Sequence, residues 1–239
     1  MRSKQSGFTL VEIAIVLVII GLLLGGVLKG QELINSAKVK NFATDFRNVP
    51  LFIYGYQDKF KSLPGDDANA VAHLGTTVPA VTQISTANGS GNGALNGNWW
   101  DGAASLATSE TVAFWEHIRR ANLAAGPTTI ATDADLPKNA EGGWLGIEAG
   151  STVAANQYIT GLSGTYIVCS KGILGKFAKQ LDTTMDDGNP YTGSVRAVPA
   201  LAQAAEARGN TAHCAVAATP AACVTAVDDA ASYTVCMAL

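Results

Sequence analysis

The sequence is poor in charged residues and has no excess of positive charge. Charged residues make up 15% of its 239 positions, and 16 Lys and Arg stand against 19 Asp and Glu. Proteins that bind nucleic acid neutralise its phosphates with clustered basic side chains. The composition therefore argues against DNA or RNA as a partner. Abundant small and polar residues, with 25 glycines, are typical of a loop-rich exported surface rather than of a cytosolic enzyme.

Catalytic motifs are also lacking. The sequence contains neither the G-x-S-x-G elbow of hydrolases nor the H-E-x-x-H motif of zinc peptidases. The histidines, His73, His117 and His213, are scattered along the chain. His117 lies in a helical pattern and is predicted to be a surface or capping residue. We predict that the chain is not an enzyme and holds no catalytic cofactor.

Cysteine is scarce, and it is confined to the last third of the chain. The four residues are Cys169, Cys214, Cys223 and Cys236. An even, clustered count in an exported domain favours disulfides over free buried thiols. Of the three possible pairings we favour Cys214–Cys223 with Cys169–Cys236. The chain has no C-x-x-C pair, and the adjacent His213 and Cys214 alone make a poor zinc site.

One long apolar run contrasts with these absences. The segment from Phe8 to Leu28 is apolar apart from one Thr, one Glu and the glycines. Its length of about 21 residues, at ~1.5 Å per residue, spans the ~30 Å hydrocarbon core of a bilayer. Basic residues at positions 2 and 4 precede it. The positive-inside rule therefore places residues 1–7 in the cytoplasm and the bulk of the chain on the far side of the membrane.

The helical pattern continues beyond the apolar run instead of breaking at a signal-peptide cleavage site. From Leu33 to Leu63 apolar residues recur at spacings near three and four, which predicts one long helix with a one-sided second half. This stripe consists of Leu33, Ala37, Phe42, Phe46, Val49, Ile53, Tyr56, Phe60 and Leu63. Pro50 is predicted to kink the helix without ending it. Leu63-Pro64-Gly65-Asp66-Asp67-Ala68 is predicted to end it.

Glu12 is the residue that a plain membrane anchor does not explain. An acidic side chain in an apolar segment costs about 2.5–3.5 kcal/mol on insertion scales, so it requires a partner or a place near the membrane interface. The run Gly7-Phe8-Thr9-Leu10-Val11-Glu12-Ile13 follows a short basic leader. It resembles the prepilin cleavage and methylation motif of type IV pilins and type II secretion pseudopilins. The resemblance is close from residue 1 to about residue 30.

This resemblance implies roles for three residues. A membrane prepilin peptidase would cut after Gly7 and methylate the new N-terminal Phe8. The Glu12 carboxylate would pair with the Phe8 amine of a neighbouring subunit, because an α-amine with a pKa near about 7.7–8.0 stays largely protonated. Small residues at Gly21, Gly25 and Gly26 allow either close helix packing or local melting of the helix, and the sequence does not choose between them.

The remainder of the chain, residues 63–239, suits one exported α+β domain. Ser109 is predicted to cap a helix from Glu110 to about Ala125, and a second short helix is predicted from Gly172 to Leu181. Short runs with a β pattern at 157–160, 165–169 and 232–236 predict a small antiparallel sheet.

An acidic, glycine-containing turn covers residues 182–193. Within it Asp182, Asp186, Asp187 and Asn189 supply the oxygen atoms that calcium prefers. The resemblance adds that some pseudopilins are stabilised by calcium. The spacing is not that of an EF-hand, so an ordinary acidic turn is the competing interpretation.

These features together predict a pilin-like α+β protein, with a long kinked N-terminal helix packed on a small antiparallel sheet. The expected divisions are a leader (1–7), a transmembrane or filament-core half-helix (8–29), an amphipathic half-helix (30–62) and a loop-rich, disulfide-bonded domain (63–239). We expect a subunit that leaves the bacterial inner membrane, after prepilin peptidase cleavage, to join copies of itself or other pilins at an inner-membrane assembly platform. The alternatives are a pseudopilin of type II secretion and a single-pass anchored binding protein that never polymerises.

Overall fold

The computed structural model of the chain describes residues 10–75, 91–201, 206–213 and 226–239. Its contacts divide the chain into two compact units, one up to Lys38 and one from Val39 onwards. A single long helix, α1, runs from Leu10 to Phe60 and includes Pro50 without interruption. The long N-terminal helix is therefore confirmed, whereas a kink at Pro50 stays a prediction.

The second part of α1 buries one face. Its buried residues recur every three or four positions, which places them along one side of the helix. They are Val39, Phe42, Ala43, Phe46, Val49, Ile53 and Tyr56. Leu33 and Ala37, which the predicted stripe included, are exposed because they precede the globular unit. Burial in α1 therefore begins at Val39 rather than at Leu33.

The predicted small antiparallel sheet is confirmed. Its strands are β1 (Leu145–Ala149), β2 (Tyr166–Leu174), β3 (Val195–Pro199) and β4 (Ser232–Ala238). All neighbours are antiparallel and their order is β1-β2-β4-β3. The predicted strand at 157–160 is wrong, since Ile159 makes only an isolated bridge to Asn210.

The described residues also form two single-turn 3₁₀ helices, Ala103–Ser105 and Ala154–Asn156, and three shorter α-helices. The α-helices are α2 (Ala70–Leu74), α3 (Glu110–Arg120) and α4 (Gly175–Met185). The end predicted for α3, near Ala125, is wrong because Asn122 adopts a left-handed conformation with φ 61°. Helix α4 begins later than predicted because β2 continues to Leu174.

The sheet is covered on both faces. Val168 and Val235 lie in a core shared with the second part of α1, with α3 and with α4. Ile167 and Cys169 lie in a second cluster around Trp99 and Tyr158. Successive strand residues point to opposite faces, so β2 is buried on both sides. Because both faces are covered, the buried residues of β2 and β4 are consecutive rather than alternate.

Candidate functional site

The first part of α1 exposes apolar side chains on every side. Leu10 is 85% exposed, Leu17 63% and Leu24 59%. An 18-residue window of this helix is apolar enough to cross a membrane, and none of that window is buried. Exposed apolar surface of this extent marks a membrane or a protein interaction site. The segment is therefore the main candidate for function in the described chain.

Glu12 lies in the first turn of this helix. It is the only charged residue between Leu10 and Leu28. The structure thus places one acid in the described apolar part of α1. Gly7 and Phe8 lie outside the described residues, and their roles in processing stay predictions.

The glycines of the apolar segment are not required by the described part of the chain. A Cβ atom added at Gly21, Gly25 or Gly26 would meet nothing within 4 Å. Close packing against a neighbouring helix and local melting both remain predictions for these positions. Close packing would need a neighbouring helix from another chain, and local melting would need a second conformation of α1.

The turn after α1 fastens the end of the helix to the rest of its unit. The Tyr56 hydroxyl donates to Asp67 Oδ2 at 2.8 Å. The Asp66 carboxylate accepts backbone N–H groups from residues 91–93. Gly65 has φ 90°, and a side chain there would overlap the Glu110 carbonyl. The Pro-Gly-Asp-Asp turn is therefore a structural junction as well as a helix stop.

His117 is part of the same junction, and its prediction as a surface residue is wrong. It is 0% exposed, and its Nδ1 accepts the Gly65 N–H at 3.0 Å. Its ring stacks on Tyr56 with centroids 6.1 Å apart. Burial lowers the pKa of His117 to about 4, so the ring is neutral near neutral pH. The histidine is buried because α3 packs this face against the end of α1.

A buried ion pair was missed by the sequence analysis. Glu148 on β1 is 1% exposed, and one of its oxygens lies 3.1 Å from Arg208 Nη1. Arg208 also donates to the Asn98 side-chain oxygen and to the Asn156 carbonyl. Burial raises the pKa of Glu148 to about 7, although the positive charge of Arg208 opposes this. Arg208 therefore joins three segments that are distant in sequence.

The structure brings the acids of the predicted calcium turn together at the end of α4. One carboxylate oxygen each from Asp182, Asp186 and Asp187 lies within 4.8 Å of the others. Asp182 is 0% exposed, and its carboxylate interacts with the Gly188 N–H and the Asp187 side chain. Burial, and then the negative charges of Asp187 and Asp186, raise the pKa of Asp182 to about 7. Asn189 lies in the same turn and donates its backbone N–H to Asp187 Oδ1.

The Cys169–Cys236 disulfide is confirmed. The two residues face each other across β2 and β4 and lie 67 positions apart in sequence. The bond ties the two inner strands of the sheet together. Cys214 and Cys223 lie outside the described residues, so their pairing stays a prediction.

A comparison with known families identifies the N-terminal segment. A family model described as the prokaryotic N-terminal methylation motif matches residues 2–28. No curated protein and no solved structure matches the chain. The resemblance to type IV pilins and pseudopilins is confirmed, since this motif is their signature. The long helix, the four-stranded antiparallel sheet and the disulfide agree with an α+β pilin-like fold.

Proposed function

We propose that the chain is a prepilin that is cut after Gly7, methylated at Phe8 and polymerised through α1. One observation carries the proposal. The methylation motif at residues 2–28 includes the first part of α1, which exposes apolar side chains on all sides. The motif supports a type IV pilin-like or pseudopilin subunit, and pilin assembly with peptidase processing is what the motif implies in general.

Before assembly the apolar half of α1 resides in the bacterial inner membrane. Its N-terminus faces the cytoplasm and the globular unit lies in the periplasm, in keeping with the basic residues at positions 2 and 4. Assembly at an inner-membrane platform moves this apolar surface from lipid to the helices of neighbouring subunits. Small residues at Gly21 and Gly25 then permit close helix approach.

Glu12 sets the stagger between subunits in this proposal. Cleavage after Gly7 creates a free amine on Phe8 four residues before Glu12. In the filament core the Glu12 carboxylate of one subunit meets the Phe8 amine of the next. Opposite charges removed from water neutralise each other only in good geometry, so the pair favours one axial register. An apolar surface alone has no such preference.

Two alternatives differ in what α1 does. A pseudopilin of type II secretion uses the same motif and the same helix, in a short periplasmic filament. A single-pass anchored binding protein keeps α1 in the bilayer permanently and needs no cleavage. Mass spectrometry of the mature chain separates the anchor from the filament subunits, because an intact Met1 contradicts processing and an N-methylated Phe8 supports it.

Assembly is tested with Glu12→Ala in cells that carry a prepilin peptidase and an assembly platform. We expect normal insertion and an N-methylated Phe8, but filament yield reduced at least about tenfold. Breaking a buried ion pair costs roughly 3–5 kcal/mol at each interface. The measurements are mass spectrometry of the membrane fraction and the amount of subunit in sheared, sedimented filaments.

Glu32→Ala is the matched control. Glu32 lies on the same helix, and its ion pair with Lys29 is exposed. This variant should form filaments at the level of the unmodified protein. Normal yield from Glu12→Ala, or an equal loss in both variants, contradicts the assigned role of Glu12.

A further inference from the structure

A cavity of about 440 Å³ opens on the surface of the globular unit, beside the register shift in β2. Two tryptophans, Trp100 and Trp144, line it, and the proposed assembly through α1 uses neither of them. The charged residues Glu141 and Lys171 also contribute to the lining. Small-molecule sites are usually cavities of about 300–1,000 Å³, lined by apolar and aromatic side chains with a few polar groups. The cavity therefore has the size and the lining of a binding site.

Hydrogen bonds hold the wall that carries Trp144. The Asn139 side-chain oxygen accepts the N–H groups of Glu141 and Gly143. The NH₂ group of the same side chain donates to the Lys171 carbonyl at 2.7 Å. The Lys171 N–H donates to the Trp144 carbonyl at 2.8 Å. A side chain at Gly143 would overlap the Lys171 carbonyl, so this close approach requires glycine. The wall is thus fixed against β2 without a ligand.

Aromatic and cationic neighbours hold Trp100. Its ring centroid lies 5.3 Å from that of Tyr158 and 5.8 Å from that of Trp99. The Arg208 guanidinium lies over the ring, 5.6 Å from the centroid. The tryptophan is nevertheless only partly buried. Side chains that are fixed in advance lose little conformational entropy when a ligand binds. Both tryptophans are therefore preorganised for binding.

The charges around the cavity favour a neutral ligand. The Lys171 ammonium is already neutralised by the buried Glu206, at 2.6 Å, and the Glu141 carboxylate would repel an anion. A cation would have to share the face of Trp100 with the Arg208 guanidinium, which already occupies it. The best match is a neutral ligand that has an apolar face and a polar edge.

We propose that this cavity binds one sugar ring of a neutral carbohydrate. A pyranose has an apolar C–H face, which can pack on an indole ring, and hydroxyl groups around its edge. The Glu141 carboxylate can accept hydrogen bonds from such hydroxyls. The Lys171 ammonium has three donors and gives one of them to Glu206. The chain would then contact carbohydrate through its globular unit, outside the helix proposed for assembly.

The test is an NMR titration of the unassembled full chain, in micelles of a detergent without a sugar headgroup. The indole nitrogens are labelled, and single Trp-to-Phe variants assign their signals. Methyl glucoside, methyl galactoside, methyl mannoside and N-acetylglucosamine are the probes. At least one of them should shift the Trp100 and Trp144 signals, with a Kd of about 1 mM or lower. Trp115, which is buried in the core, is the internal control and should shift less.

Trp144→Ala removes one of the two aromatic surfaces and should weaken binding of the best probe at least about tenfold. Trp144→Phe keeps an aromatic ring and should lose less affinity. Tyr54→Ala is the control, because this aromatic side chain is 67% exposed on α1 and should not affect binding. The indole shifts of the unmodified protein decide the result if the alanine variant does not fold.

The absence of any shift with these sugars overturns the proposal, as does an unchanged affinity in folded Trp144→Ala. Shifts with choline or phenol in place of the sugars also overturn it, because they assign the cavity to a cation or to an apolar aromatic ring. Tighter binding of a glucose trisaccharide than of methyl glucoside supports a polysaccharide as the source of the ring, and equal binding supports a free sugar. Filament assembly is not measured, so the result is independent of the role of α1.

Discussion

The two parts of α1 have the same secondary structure and opposite surroundings. Up to Lys38 the described helix exposes nearly all of its apolar side chains, whereas from Val39 onwards it buries a face every three to four residues. Ile15 is 54% exposed and Ile53 is 3% exposed. The same residue type therefore has different physical roles 38 positions apart on one helix.

This difference shows which part of the helix has its apolar face covered by its own chain. The second part has its partners in its own unit, where Phe42 lies against Phe177 of α4 with ring centroids 6.2 Å apart. The first part has apolar surface that water does not favour and that the described chain does not cover. In a cell this surface would need to be covered by lipid or by another protein. The second part of α1 thus contributes to folding, whereas the exposed first part is the candidate for function.

The largest expected effect tests this separation with a matched pair of substitutions. Ile53→Ala should lower the free energy of unfolding by about 2–5 kcal/mol, because it leaves a cavity in the core. Ile15→Ala should change it by less than about 0.5 kcal/mol, because its side chain is exposed. Both are measured by urea unfolding of the full chain in micelles. Tryptophan fluorescence reports the globular unit, since all four Trp lie between positions 99 and 144. Similar losses in both variants would mean that the two parts do not differ as described.

The next effect concerns pH and the junction that holds the end of α1. Burial lowers the pKa of His117 from 6.5 to about 4. The ring is protonated more readily in the unfolded chain, so its contribution to stability is present above pH 6.5 and is lost as the pH falls towards 4. The loss should be on the order of 3 kcal/mol. Asp67 favours the charged ring and Arg120 disfavours it, and both act less strongly than burial.

His117→Gln isolates this contribution. The amide oxygen can still accept the Gly65 N–H, but the side chain does not titrate. Urea unfolding at several pH values between 7 and 4 should show a weaker acid loss in the variant. Glu110 and Glu148, whose pKa burial raises to about 7, act in the opposite direction and are common to both proteins. Parallel pH profiles would show that the His117 ring is not kept neutral by the fold.

The smallest expected losses of stability come from removing one polar contact in each part of α1. Tyr56→Phe removes the hydroxyl that donates to the buried Asp67 and should cost about 1–2 kcal/mol. Lys29→Ala removes an ion pair whose side chains are 67% and 69% exposed, and should cost less than about 0.5 kcal/mol. Thermal unfolding at one pH measures both. A larger loss from Lys29→Ala would contradict the assignment of folding stability to the second part.

The helix could be predicted from sequence because its signal is local. Apolar periodicity from Phe42 to Tyr56 marks the buried face, and the Pro-Gly turn marks its end. The edge strands of the sheet could not be predicted in this way. Gly146 on β1 interrupts the β pattern, yet a side chain there would overlap the Trp99 carbonyl. Pro199 on β3 reads as a breaker, but an edge strand tolerates proline.

The polar sites differ in the same way: those made by residues close in sequence could be predicted, and those made by distant residues could not. The acids of the 182–193 turn are close in sequence, so their clustering could be predicted, but the burial of Asp182 depends on how α4 packs against the sheet. The pair of Glu148 and Arg208 joins residues 60 positions apart and leaves no local pattern. His117 was assigned to the surface because its helix was considered without α1. Each miss concerns a contact made by chain segments that meet only in the folded unit.

The order of the strands has a consequence for how such a chain is exported. β4 is the last strand described, yet it lies between β2 and β3, and β3 pairs with β4. Under the proposed export, β3 has no strand partner until residues 232–238 have crossed the membrane. The native partner of Cys169 arrives in that same final stretch. The Cys169–Cys236 disulfide would therefore form only after translocation is complete. Trapping free thiols in pulse-labelled cells would measure when this bond forms.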